Sequence, residues 1–291
     1  MSSAMSSITA HQITGRIKRQ LASTWIDSPL DVFQTGSPDT IVTGITTSFT
    51  PSIDVLKRSV AAGRNMIVTQ QPAFYRDDHA SLGADAARRS VEDDFRNDPA
   101  YLYKKEYIEK HRLVIWRFYD NWNSRTVDGQ LLGLAKALGW EKYHVNGSLA
   151  GTEPYARKNK YFHLPEASLK ERIIEIEKAL NIHALRVIGE STTKIQKASI
   201  SNGMLKFTEL QQILNEQSDV DLIVIAEAIE WESCEYFRDY LTWKGKNKAM
   251  ILLGREASED PGYGEAASWL EKFISEVPIR WEPAGEPFWA P

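Results

Sequence analysis

Four apolar runs in this sequence are each followed closely by polar side chains that can bind a ligand or move a proton. After Met66–Val68 comes Thr69-Gln70-Gln71-Pro72, and after Leu113–Trp116 comes Arg117-Phe118-Tyr119-Asp120-Asn121-Trp122-Asn123-Ser124. Leu222–Ile225 is followed by Glu227, and Met250–Leu253 by Gly254-Arg255-Glu256-Ala257-Ser258-Glu259. Asp120 and Glu259 are carboxylates able to act as general bases or to hold a metal-bound water. Gln70, Gln71, Asn121 and Asn123 offer neutral amide donors and acceptors, and Arg255 offers a fixed cation with a bidentate fork. Any one such cluster is also what a strand end reaching solvent looks like. Four in equivalent places predict a shared polar pocket, because ligands of open α/β sheets bind beyond the carboxyl ends of the strands.

Arg255 and Glu259 have the spacing that lets them pair on one helical turn. Such a guanidinium either compensates the carboxylates beside it or presents a bidentate donor to a phosphate or carboxylate; a plain surface ion pair is the blander alternative. The histidines His11, His79, His111, His144, His163 and His183 stand apart from the four clusters, and no Cys/His spacing suits zinc. The one cysteine, Cys234, has no partner for an internal disulfide and reads as a buried thiol.

The elements that must position these residues follow from periodicity and punctuation. Thr9 and Gln12 have capping-box spacing ahead of Ile13, Ile17 and Leu21 on one helical face. Ile41–Thr47 reads as a strand. Thr50-Pro51 reads as a cap before a first-turn proline, and the helix carrying Ile53, Leu56 and Val60 stops at Gly63. With Met66–Val68 this makes a βαβ unit, hence a parallel sheet. The charged stretch from Ala84 to His111 reads as helical, with a restart at Asp98-Pro99. Asp128 caps a helix through Leu131, Leu134, Ala135 and Leu138 that ends at Gly139. The aperiodic polar segment from Asn146 to about Lys160 predicts a boundary, giving an N-terminal α/β lobe over 1–145, a connector over 146–165 and a C-terminal α/β lobe over 166–291. In the latter, Ser168 and Glu171 have capping-box spacing. Helices are expected there around Phe207–Leu214, Cys234–Trp243 and Ala266–Ile274, and strands at Leu185–Ile188, Leu222–Ile225, Met250–Leu253 and Val277–Trp281. Trp140, Trp231, Trp243, Trp269 and Trp281 lie in or beside these elements, where core packing is expected.

Composition narrows the function classes. The 291 residues carry a formal net charge of −4, which argues against a nucleic-acid binder that relies on bulk electrostatics. No run approaches the ~18 apolar residues of a membrane span. The opening Met1-Ser-Ser-Ala-Met-Ser-Ser lacks the basic and apolar regions of a signal peptide, so a cytoplasmic location is expected.

Over nearly its whole length the chain resembles the Nif-three-like family, the dinuclear metal-centre proteins also described as GTP cyclohydrolase I type 2-like. The likeness is carried by Ile41–Phe74, by Trp116–Trp140 with Asp128-Gly129 and Leu138-Gly139-Trp140, and by Asp221–Trp289 with Glu230-Trp231, Leu253-Gly254, Ser258-Glu259 and Gly285-Glu286-Pro287-Phe288-Trp289. The resemblance implies a two-lobed α/β fold with mixed or mainly parallel sheets flanked by helices, assembled as a ring-shaped homo-oligomer, commonly a hexamer. It also implies a ligand set. Where the family has two histidines, or His-Glu in a longer branch, this sequence has Gln70 and Gln71. Asp120 and Ser124 match a histidine and aspartate segment; against the longer branch's His-Asp-x-Trp-His type pattern, Asp120 and Trp122 survive while Tyr119, Asn121 and Asn123 stand in for the rest. The family's Gly-His then Ser-Glu reads Gly254-Arg255 and Ser258-Glu259.

Neutral amides and an arginine are poor substitutes for imidazole in a transition-metal site. No dinuclear centre is therefore expected; the alternative is one weakly held divalent ion, magnesium, manganese or zinc. Two functional readings follow. The first is a ligand-binding or regulatory relative with a degenerate metal site, whose altered pocket takes a small anionic ligand. The second is a metal-dependent hydrolase of a nucleotide or phosphoester, with Asp120 or Glu259 as base or ligand.

Overall fold

The computed structural model describes residues 7–76, 95–125, 128–145, 159–216, 218–245 and 247–289, without the side chains of 159–160. In chain order the elements are β1 (Ile8–Thr9), α1 (Ala10–Gln20), β2 (Phe33–Thr35), β3 (Ile41–Val42), β4 (Ile45–Ser48), α2 (Ile53–Ala61), β5 (Met66–Thr69), α3 (Pro99–Lys110), β6 (Val114–Arg117), α4 (Asp120–Asn123) and α5 (Gly129–Ala137). There follow β7 (Asn159–Ser168), α6 (Leu169–Leu180), β8 (Arg186–Ile188), β9 (Lys194–Met204), α7 (Phe207–Glu216), β10 (Leu222–Glu227), α8 (Glu235–Lys244), β11 (Ala249–Leu252), α9 (Arg255–Leu270) and β12 (Ile279–Trp281). The chain divides into two units, Met1–Arg125 with Tyr263–Ala284, and Thr126–Gly262 with Gly285–Pro291.

The first unit is built on a five-stranded sheet of order β12-β4-β5-β6-β2. β12, β4, β5 and β6 are parallel and β2 closes the edge antiparallel to β6. Every residue of β4, β5 and β6 is buried, as expected of parallel strands covered on both faces. Alternate residues serve different cores. Ile45, Met66, Val68, Val114 and Trp116 pack with Ile13 and Ile17 of α1 and with Tyr263, Ala266 and Leu270. Ile67 and Ile115 pack with Leu56 of α2 and Ile108 of α3. The α1 capping box forms as predicted, with Thr9 Oγ1 accepting from Gln12 N and Gln12 Oε1 accepting from Thr9 N. Asp98 caps α3 with Pro99 at its first turn, also as predicted. The α2 cap moves by two residues: Ser52 Oγ accepts from Val55 N at 3.3 Å, so Pro51 stays outside the helix. The expected strand Ile41–Thr47 is two strands, because β3 pairs with β1 while β4 joins the main sheet. The part of the expected charged helix over 84–94 lies outside the described residues.

The second unit has a five-stranded sheet of order β7-β9-β10-β11-β8. β9, β10 and β11 are parallel, and β7 and β8 run antiparallel at the edges. Val224 and Ile251 face α5 and α6, whereas Ile223, Ile225, Met250 and Leu252 face α7 and α8. Both sheets are therefore mixed with parallel centres, the expected fold class. The division falls after Arg125 rather than within 146–165, most of which (146–158) is not described. The terminal β12 belongs to the first unit because its backbone pairs with β4. The expected helix Ala266–Ile274 is only in part helical: its first residues are the end of α9, which already starts at Arg255, contains Pro261 and stops at Leu270.

Cys234 is buried and free, and burial pushes its thiol up from the usual range. Trp140 is buried, as expected; Trp231 and Trp243 are not, being 77% and 73% exposed. Among the described residues, no helix is long and apolar enough to cross a membrane.

Candidate functional site

In the first unit, β5 and β6 are parallel neighbours, so Gln70 and the segment after Arg117 leave the sheet at the same edge. Phe118 N extends the ladder to Thr69 O at 2.8 Å, and Tyr263 Oη donates to Phe118 O at 2.7 Å. An aromatic stack backs the turn: Phe118 lies on Trp116 at 4.9 Å, and Trp122 packs against Phe118 and Trp269 at 5.8 and 5.7 Å. The chain then makes the single helical turn α4. Its amide donors are met from outside by Asp31. Asp31 Oδ1 accepts from Tyr119 N and Asp120 N at 2.6 and 3.0 Å, and Oδ2 from Asn121 N and Nδ2 at 2.9 and 2.7 Å. Burial pushes the Asp31 carboxyl up from its ordinary value, against the lowering effect of these hydrogen bonds.

The predicted residues in this unit are mostly engaged. Asn121 is buried and closes a pair of bonds with Ile26, Oδ1 accepting from its N–H at 2.8 Å and Nδ2 donating to its carbonyl at 2.9 Å. Asp120 Oδ2 accepts from Ser28 Oγ at 2.5 Å. Gln70 is fully buried, and its carbonyl accepts from Arg117 Nε at 2.7 Å; that guanidinium lies 5.3 Å from the Tyr119 ring. Gln71 is half-buried and its N–H donates to Phe49 O. Three successive residues differ: Trp122 Nε1, Asn123 Oδ1 and Ser124 Oγ are buried atoms that find no hydrogen-bond partner among the described residues.

In the second unit, β10 and β11 are parallel neighbours, which brings Glu227 and Gly254-Arg255 to one sheet edge. Gly254 has φ +81°, a conformation that favours glycine, and turns β11 directly into α9. The predicted Arg255–Glu259 pair forms, Nε to Oε1 at 2.8 Å, with Glu259 only 3% exposed. Ser258 and Asp260 beside it are buried too. Among the described residues no group of three or more His, Cys, Asp and Glu side chains is arranged to hold a metal. His79 lies outside the described residues.

No protein-family model and no curated protein matches the sequence. Solved structures do match. A hypothetical protein of Staphylococcus aureus superposes with TM-score 0.67 at 15% identity, covering 98% of this chain and 100% of its own. A Bacillus cereus protein related to NIF3 gives 0.68 at 12% identity, over 97% and 99% of the two chains. A Thermus thermophilus protein gives 0.62 at 13%, over 97% and 100%. The fold is that of the NIF3-related proteins.

Within this NIF3 fold, the residues that shape the first-unit turn include two that the sequence reading passed over, Asp31 and Ser28. Their partners are roughly ninety residues away in sequence, so no local spacing marks them. Arg117 was visible as part of a strand-end cluster, but its bond to the Gln70 carbonyl depends on β5 and β6 being adjacent.

Proposed function

We propose that this chain is a Nif-three-like protein, cytoplasmic and homo-oligomeric, that binds a small polar ligand and has no dinuclear metal centre. The reading rests on the donor set at the positions equivalent to the family's ligands. Gln70, Gln71 and Ser124 are neutral there, and Arg255 is a cation. The two anions are already engaged, Asp120 by Ser28 and Glu259 by Arg255. Two adjacent divalent ions need several carboxylates or imidazoles, so these residues do not fit the group. The atoms of Trp122, Asn123 and Ser124 that lack partners among the described residues support the binding half of the reading. Buried polar atoms are almost always satisfied, by a ligand or water where protein does not serve. Exposed Trp231, Trp243, Phe288 and Trp289 give the second unit apolar surface of the kind that assembly covers.

Elemental analysis of protein purified after metal supplementation tests the first half. Transition metal far below one ion per chain is expected, and near-stoichiometric metal overturns the reading. A screen of nucleotide and phosphoester hydrolysis with magnesium, manganese and zinc tests the other class. Metal-dependent turnover that disappears in Glu259→Gln would make the chain a hydrolase and sink the binding account.

A further inference from the structure

Away from both strand-end clusters, α1 borders a cavity of about 400 Å³ lined by His11, Gln12, Gly15, Arg16, Arg19 and Glu276. His11, Gly15 and Arg19 recur at four-residue intervals, so they form one row along the helix. Arg16 is committed: its guanidinium grips Glu276 at 2.5 and 2.9 Å and also donates to Phe273 O at 3.2 Å. Gln12 is committed to the capping box. The Arg19 guanidinium and the His11 ring, by contrast, are exposed and make no ion pair or hydrogen bond among the described residues. The charges facing the cavity are thus two arginines against one carboxylate, with an imidazole beside them.

Gly15 supplies an independent observation. Glycine in a helix interior is less stable than alanine. Nothing in the packing requires it, since a Cβ there would meet only the tip of Arg19 at an ordinary 3.7 Å. What the missing side chain does leave is open space on the cavity wall, between His11 and Arg19.

We infer that this cavity is a binding site for a small oxyanion, a phosphoryl or carboxylate group held by the free fork of Arg19 with His11 alongside. A cation is disfavoured because the one carboxylate present is already neutralised by Arg16. An apolar ligand is disfavoured because charged and amide side chains dominate the lining. Guanidinium recognises both oxyanions through paired N–H donors, so phosphate and succinate are the two probes, and the tighter binder names the group.

The experiment is a ¹H–¹⁵N NMR titration of the full chain with inorganic phosphate and with succinate, each against potassium chloride at equal ionic strength. Saturable shifts at α1 amides are expected with at least one probe. Arg19→Gln, at an exposed position, should weaken that binding roughly tenfold. Glu276→Gln removes the competing carboxylate and frees Arg16, so it should tighten binding several-fold, a gain that a purely structural role for the pair would not produce. Gly15→Leu fills the space and should abolish binding while the circular dichroism spectrum keeps its helical signal. Absence of specific shifts with both anions overturns the inference, and so does equal affinity in wild type and Arg19→Gln. The site is separate from the strand-end turn, so either result leaves the metal measurement above unaffected.

Discussion

Asp31 meets four N–H donors with two oxygens and so fixes where Asp120 and Asn121 stand. Asp31→Asn keeps the shape but turns an amide NH₂ toward some of those donors. It should cost about 2–3 kcal/mol in urea denaturation, the range for leaving buried donors unmet next to a lost charged acceptor. A loss below about 0.5 kcal/mol would show that the turn holds without it. The Arg16–Glu276 pair makes a pH-dependent contribution. Its hydrogen bonds hold the Glu276 carboxyl down at about 2, below the ordinary value of 4.5. Ionised Glu276 therefore adds stability at pH values above that ordinary value, and the contribution fades as pH falls toward 2. Acid titrations of wild type and Glu276→Gln should diverge by about 1 kcal/mol at neutral pH and converge near pH 2, the size being limited because the pair is partly exposed. Residues of this kind differ in how they are written in the sequence. Arg255 and Glu259 were legible as a pair because a helix turns spacing into proximity, whereas Asp31 and Asn121 meet only through the fold.

At the scale of elements, the helices with side-chain caps were the readable ones. Thr9, Asp98, Asp128 and Ser168 each mark a start that the structure keeps. The fully buried strands β5, β6 and β11, and β10 as far as Ala226, were readable as apolar runs. β9 was not, because Lys194, Gln196, Lys197, Ser199 and Ser201 interrupt its apolar residues, and β2 is a three-residue edge whose pairing partner is eighty residues on. α9 hid its first half behind a polar run and Pro261. Within the second unit, α5 and the Pro261–Gly262 turn of α9 approach so closely that a Cβ on Gly133 would lie 2.4 Å from Pro261 O and 2.5 Å from Gly262 N. Gly133→Ala ordinarily favours a helix by about 1 kcal/mol. Here overpacking against backbone should reverse the sign, lowering stability by about 1–3 kcal/mol in chemical denaturation; an increase would mean that the two helices can part cheaply.

For the whole molecule, the consequential fact is that the first unit is discontinuous in sequence. Tyr263, Ala266, Leu270, Ile274 and Ile279 fill the same core as Ile13, Ile45 and Trp116. A chain ending at Gly262 should therefore lose the near-ultraviolet dichroism of the first-unit aromatics and the slow amide exchange of β4 and β5. Retention of both would show that the unit closes without its distal segment. The sequence could not foretell this, since the run Val277–Trp281 announces a strand but not which strand it will join. Ile45 lies beside Ile279, and Thr47 Oγ1 bonds to Tyr263 O. On a ribosome the residues of β4 emerge more than two hundred positions before their β12 neighbours. Strands β4, β5 and β6 are therefore made with one edge of their sheet still unpaired, and that edge closes only when Ile279–Trp281 has followed. Until β12 arrives, the unpaired edge of β4 is the place where a nascent chain is most open to wrong pairing and where a chaperone would be most useful.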